Sequence, residues 1–227
     1  MSRMNSARIA GFAFLFYIAV AFPSQMLMSR ATRGDGTAAQ LAQVAVHATD
    51  VRVVILLTLL SAFSAIVLAV TLYGITRDVS HELAMLVMAF RLAEGVLGAI
   101  GIPIMRGLVW LATVGGGQGA PDGASTNALG AYLLMPAQST LMGAPFFAVG
   151  SLIFSYLLLR GRLVPTFLSW IGVIGSIVVV IGVPLQIADF LTAPLAMYMW
   201  LPLLAFEVPL GFWLMIKGVR TPELQSA

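Results

Sequence analysis

Six stretches of this chain are long and apolar enough to cross a lipid bilayer, a feature that limits its fold more than any other. A spanning helix needs about 20 mostly apolar residues, since each adds about 1.5 Å against a hydrocarbon core of about 30 Å. Arg8–Met28, Val51–Thr76, Leu83–Thr113, Leu129–Leu159, Val164–Phe190 and Pro194–Ile216 all reach that length. The expected fold is therefore all-α: a compact polytopic bundle of six transmembrane helices, forming one transmembrane domain over residues 1–227.

Only 9% of the residues are charged and 60% are hydrophobic, against roughly 25% charged residues in an ordinary soluble domain. So few charges cannot cover a water-soluble surface, and the lipid bilayer is the expected partner. The chain has 12 Lys and Arg against 9 Asp and Glu, but the basic residues sit at the ends of apolar runs, where they act as topology signals and not as a nucleic-acid surface. There is no cysteine, and the two histidines, His47 and His81, lie in separate loops. Disulfides, thiolate metal sites, a cysteine nucleophile and a multi-histidine metal site are excluded, and no cofactor is expected.

Arg3 and Arg8 precede the apolar run Ile9–Phe22, as in a secretory signal, but "QMLMSRA" is a poor cleavage site, so the first segment reads as a retained span. With the N-terminus inside, the inner side carries Arg3, Arg8, Arg77, Arg160, Arg162, Lys217 and Arg220, and the outer side only Arg30, Arg33, Arg52 and Arg106. That asymmetry predicts both termini in the cytoplasm.

The inner connections "RDVSHE" and "RGRLVP" are short, which makes neighbouring spans antiparallel and adjacent. Outside, the spacing of "TAAQLAQVAVHA" predicts a short helix at the outer surface, and "GGGQGAPDGAST", Gly115–Thr126, reads as a flexible linker. It is not a nucleotide loop, because no strand precedes it. The third and fourth segments exceed the minimum length, with Pro103, Pro136 and Pro145 as expected break points.

Helices in lipid associate through small residues and interhelical hydrogen bonds. Gly172, Gly175, Ser176, Val179, Gly182, Val183 and Gln186 recur at spacings of three and four along the fifth span, and Gly95, Gly98, Gly101 and Ile102 extend a similar face on the third. These are expected contact surfaces, and the second of them turns Arg91 and Glu94 of "AFRLAEG" inward.

Arg91 lies ten residues after His81, and Glu207 ten residues before Lys217, so both sit about 15 Å from the inner edge. Arg91, Glu94 and Glu207 thus share one level near mid-membrane. A charge there costs roughly 2.5–3.5 kcal/mol on insertion scales, so three unpaired charges would cost about 7–10 kcal/mol. Mutual pairing is expected, because the five donors of arginine can serve two carboxylates. With both acids ionised, the cluster carries one excess negative charge. Either it is a clamp between the third and sixth spans, or it is a site for a proton, a cation or a cationic substrate. Pro202 and Pro209 flank Glu207 and would free the carbonyls of Tyr198 and Ala205, a helix interruption of the kind found at transporter sites.

A second polar group, Arg52, Arg106, Gln138, Gln186 and Asp189, with Gln25 and Asp50, gathers at the outer ends of the segments. It is either ordinary interfacial solvation or an outer vestibule in which Arg106 pairs with Asp189. No G-x-S-x-G, H-E-x-x-H or paired-aspartate metal motif occurs. Binding or transport of a small molecule or ion at the Arg91, Glu94, Glu207 cluster is the leading expectation. The alternatives are an intramembrane enzyme using Glu94 or Glu207 as acid or base on a lipid-like substrate, and an accessory membrane subunit.

The chain also resembles a known family. "ARIAG" in the first span, "FRLAEG" in the third, "FFAVGSLIFSYLLLRGRLVPTFLSWIGVIG" across the fourth and fifth, and "EVPLGFWLMIKGV" in the last are similar, in matching order, to the domain of unknown function 4386 family. The resemblance implies a bacterial cytoplasmic-membrane protein of about six spans, and it implies no activity. "GGGQGAPDG" departs from the family pattern.

Overall fold

Helix starts are set by side chains that satisfy the first free N–H groups. Ser2 accepts from the Asn5 N–H and opens α1, Arg3–Ala31. After α2, Thr37–Val46, and α3, Ala48–Thr76, Ser80 accepts from the Leu83 N–H and opens α4, His81–Ala99. α5 follows at Gly101–Thr113. In this computed structural model residues 2–114, 121–135 and 142–221 are described. The rest of the chain comprises α6, Gly123–Leu133; α7, Ala144–Arg160; α8, Thr166–Ile187; α9, Ala193–Tyr198; and α10, Leu201–Ile216. All regular structure among the described residues is helical.

Among the described residues, five helical segments are long and apolar enough to cross a membrane: Arg3–Ala31, Ala48–Thr76, His81–Thr113, Thr166–Ile187 and Pro194–Ile216; α7 is a shorter apolar helix. Large apolar side chains such as Phe12, Phe63, Ile174, Ile181 and Phe212 point outward from them. This is a multi-pass membrane protein.

Of three sequence expectations about helix breaks and loops, two change and one holds. The run Leu129–Leu159 is not one helix: α6 ends at Leu133 and α7 begins at Ala144, with Gly143 at its N-cap. Pro145 lies in the first turn of α7, where its missing N–H is harmless, so it starts that helix and does not kink it. Pro136 lies outside the described residues. Secondly, the third segment breaks where Pro103 is expected to break it: the helix stops at Ile100, whose N–H bonds back to Leu97, because Pro103 has no N–H to return to the Ala99 carbonyl. Thirdly, the expected linker Gly115–Thr126 already turns helical at Gly123, where Asp122 caps α6; residues 115–120 lie outside the described set.

That cap carries a testable pH dependence. The Ser125 N–H donates to the Asp122 carboxylate at 2.7 Å, which holds the carboxyl below the usual aspartate range. A carboxyl with a depressed folded-state pKa contributes stability that is complete above its unfolded value and lost as pH falls through the folded one. Below about pH 4, amide protection at Ser125 and Thr126 should therefore fall. Asp122→Ala should show the same low protection at neutral pH; unchanged protection in that variant would exclude the cap.

The helices close into a ring: α1 packs on α3, α3 on α4, α4 on α7, α7 on α8, α8 on α10, and α10 back on α1. Short turns enforce the α3–α4 and α7–α8 steps, and the last, α10 on α1, is made by the small residues Gly11 and Gly211. The predicted stripe on the fifth span is the buried face of α8, from Gly172 through Val183, with Gln186 only half-buried. Gly172 packs on Phe206, Gly175 on the Pro202–Leu203 backbone, and Gly182 on Met199. On α4 the stripe is shorter than expected. Gly95 meets the Ala62 carbonyl, whereas Gly98 faces nothing within 4 Å.

One end of the ring carries both chain termini. There the Arg3 guanidinium donates to the Ile75 carbonyl at 2.7 Å, and the Arg220 N–H donates to Leu163 at 2.9 Å. At the other end α1 and α3, each 29 residues and so about 44 Å long, project past a core of about 30 Å. Their ends join α2, α5 and α6 around a second apolar cluster that includes Leu41, Val44, Met105 and Leu108. The short helix expected outside is α2, and it is seated on α5 and α6 by that cluster.

Candidate functional site

Four helices of the ring deliver polar side chains to one interior point. Arg91 and Glu94 come from α4, Tyr17 from α1, Ser151 from α7 and Glu207 from α10. Arg91 is 1% exposed, Glu94 5% and Glu207 6%.

Arg91 Nη1 donates to Glu94 Oε2 at 2.9 Å across one helical turn. Its Nη2 donates to Ser151 Oγ at 2.9 Å and lies 3.6 Å from Glu207 Oε1. That last distance is an ion pair but too long for a hydrogen bond. Glu94 is held on its other side, where the Tyr17 hydroxyl donates to Oε1 at 3.1 Å. The guanidinium also lies against two aromatic rings, 4.7 Å from the Phe147 centroid and 5.6 Å from Phe14. Such placement favours a desolvated cation by about 0.5–2 kcal/mol.

The two acids are thus inequivalent. Glu94 accepts two hydrogen bonds, whereas among the described residues Glu207 Oε1 has no hydrogen-bond partner, nor has Arg91 Nε. A buried polar atom without a partner costs about 1–3 kcal/mol, and more when charged. Ser155, Ser169 and Ser176, all fully buried on α7 and α8, likewise have hydroxyls with no hydrogen-bond partner.

Of the residues singled out from the sequence, Arg91, Glu94 and Glu207 are brought together. The outer group is not. Arg52, Arg106 and Asp189 are exposed, and Gln186 is half-buried with an unpartnered Oε1. No Arg106–Asp189 ion pair forms among the described residues, because α5 packs with α2, α3, α4 and α6, whereas Asp189 follows α8. Gln138 lies outside the described residues. Asp50 pairs elsewhere, with His47 Nδ1 at 3.3 Å and Arg30 at 3.9 Å.

Ser151, Phe14 and Phe147 were missed in the sequence, and Tyr17 was noted only as a possible donor within the bundle. Depth counting would have found two of them. Ser151 lies nine residues before Arg160, and Tyr17 nine after Arg8, the same level as Arg91. A hydroxyl at that depth costs far less than a charge, so depth alone does not demand a partner for it. For the two phenylalanines no signal separates a ring against a guanidinium from a ring in a core.

The chain matches no curated protein and no solved structure. Residues 9–218 match the family model described as Domain of unknown function (DUF4386), so the chain belongs to that family.

Proposed function

We propose that this protein binds a small cation or a proton at Glu207, beside Arg91 and Glu94, and moves it across a bacterial cytoplasmic membrane. The reading takes the chain as one transmembrane domain of six spans, α7 being the short sixth, with both termini in the cytoplasm. Its support is the concentration of Arg3, Arg8, Arg77, Arg160, Arg162 and Lys217 at the end that holds the termini.

The observation that carries the site is the unshared oxygen of Glu207. Arg91 spends its hydrogen bonds on Glu94 and Ser151, which leaves two carboxylates around one guanidinium and one of them without a donor. A proton or a cation supplies the missing charge. A clamp between α4 and α10 is the competing reading, favoured by the near-complete burial of Arg91.

Thermal unfolding of the purified protein separates the two. Wild type and Glu207→Gln are compared across a pH series and with sodium, potassium and small primary amines as probes. A ligand present at 100 times its Kd stabilises by about 2.7 kcal/mol, a shift of several degrees. At least one probe or the pH series should stabilise wild type and leave Glu207→Gln unmoved. Identical responses of the two proteins would support the clamp and end the proposal.

A further inference from the structure

Two sets of hydroxyl groups in this bundle behave differently. Thr32, Thr58, Thr71, Thr76 and Thr113 each donate to the carbonyl four residues earlier, at 2.7–2.9 Å. That local bond satisfies a hydroxyl inside a helix without any partner from elsewhere. Ser155, Ser169 and Ser176 have the same option and do not take it; all three are fully buried and without a hydrogen-bond partner.

These serines line one seam between α7 and α8. A Cβ added to Gly172 would stand 2.7 Å from Ser155 Oγ and 2.6 Å from the ring of Phe206, the neighbour of Glu207 in the chain. Ser169 and Ser176 lie one turn to either side of Gly172 on the same buried face of α8. On α7, Ser155 is one turn from Ser151, which accepts from Arg91 beside Glu207. In the opposite direction Ser169 is three residues from the start of α8 at Thr166, about 4.5 Å from the end that carries both termini. Hydroxyls thus run from the buried carboxylate to within one turn of the surface. Beyond Ser176 the same face of α8 is Val179, Gly182 and Val183, with Gly182 packed on Met199 between α9 and α10.

We infer that Ser151, Ser155 and Ser169 form a proton path that joins Glu207 to the end of the bundle holding both termini. The inference rests on the proposed function, in which Glu207 gains and loses a charge, and it narrows the transported species to the proton. Each hydroxyl accepts a proton on oxygen and releases its own to the next acceptor, with water completing steps longer than a hydrogen bond. The net result is one proton moved and no covalent bond changed in the protein. A metal cation has no such route, since it needs several oxygen ligands at once. The titratable groups facing Glu207 are Arg91 and Glu94 from α4, with Tyr17 of α1 held on Glu94; α7 and α8 present only the serines among apolar residues.

The test uses full-length protein in liposomes, with orientation read from protease access to a C-terminal tag and a different pH inside and outside. Dicyclohexylcarbodiimide, which modifies protonated carboxyl groups in apolar surroundings, is the probe, and labelled peptides are separated by mass spectrometry. Labelling of Glu207 should follow the pH on the terminal side. Deuterium exchange at the Glu207 carboxyl, followed by its infrared band and assigned with Glu207→Gln, should slow at least tenfold in Ser155→Ala and in Ser169→Ala. Ser64→Ala, on α3, should leave it unchanged. If Glu207 is labelled but follows the other side, or if neither serine variant slows exchange, the path is wrong and the carboxyl site stands. If no pH on either side changes its labelling, the proposed function itself fails and the path with it.

Discussion

Replacing Arg91 with leucine is expected to lower the melting midpoint more than any other single polar substitution in the bundle. The guanidinium is 1% exposed and stands between two carboxyl groups that pair with no other cation among the described residues. Removing one partner of a buried ion pair costs about 3–5 kcal/mol, chiefly because it leaves the opposite charge unpaired. Here two acids are orphaned, Ser151 loses its donor, and the rings of Phe14 and Phe147 lose their cation. The triple variant Arg91→Leu, Glu94→Gln, Glu207→Gln should recover much of the loss, since neutralising a whole buried cluster is far milder than breaking it. Arg91→Lys should fall between the two, because one ammonium cannot span Glu94 and Ser151 as the fork of arginine does. Thermal unfolding of the four proteins in one detergent gives the order. A midpoint for Arg91→Leu equal to wild type would mean that the cluster contributes nothing to stability.

The second large effect is expected at Gly11, where α1 meets α10 and closes the ring. A Cβ there would stand 2.5 Å from the Gly211 carbonyl oxygen and 2.7 Å from the Met215 amide nitrogen. Both are backbone atoms of α10 and cannot rotate aside, so the helices must separate. Overpacking usually costs about 1–3 kcal/mol when side chains can adjust, and Gly11→Ala should lie at or above the top of that range. Gly211→Ala should be milder, because its Cβ would first meet the end of the Leu15 side chain at 2.9 Å. The effect also reaches the site, since α1 carries Tyr17 and α10 carries Glu207. Gly11→Ala should therefore lower the pH or probe response at Glu207 along with stability. Equal melting of the two glycine variants would show that the α1–α10 contact tolerates separation.

Much of the charged centre was legible because depth in a membrane helix is a matter of counting. Ten residues from His81 and ten from Lys217 put Arg91 and Glu207 on one level, and the cost of a lone charge in lipid required them to meet. The contact face of α8 was legible from its glycine spacing for the same reason, as a periodic pattern on a helix of known pitch. Counting failed where the chain is not one helix. Leu129–Leu159 has the length of a span, and although Pro145 marked a break in it, length alone did not show that the run is two helices, the second starting at Gly143 and Pro145. It failed again for Arg106 and Asp189, which share a depth but stand on different sides of the ring.

By itself the sequence determined that the chain is helical, that it crosses a membrane several times, and that three ionisable groups must be buried together. Each of these follows from one-dimensional quantities: the length of an apolar run, the rise per residue and the cost of charge in lipid. The tertiary structure decided which groups share the arginine. Closure of α10 onto α1 brings Tyr17 to Glu94, so that acid is held by two donors while Glu207 Oε1 is left with an ion pair at 3.6 Å. Hydrogen bonds depend on angle and on a few tenths of an ångström, and those are set by how six helices pack around one point, which no spacing along the chain specifies.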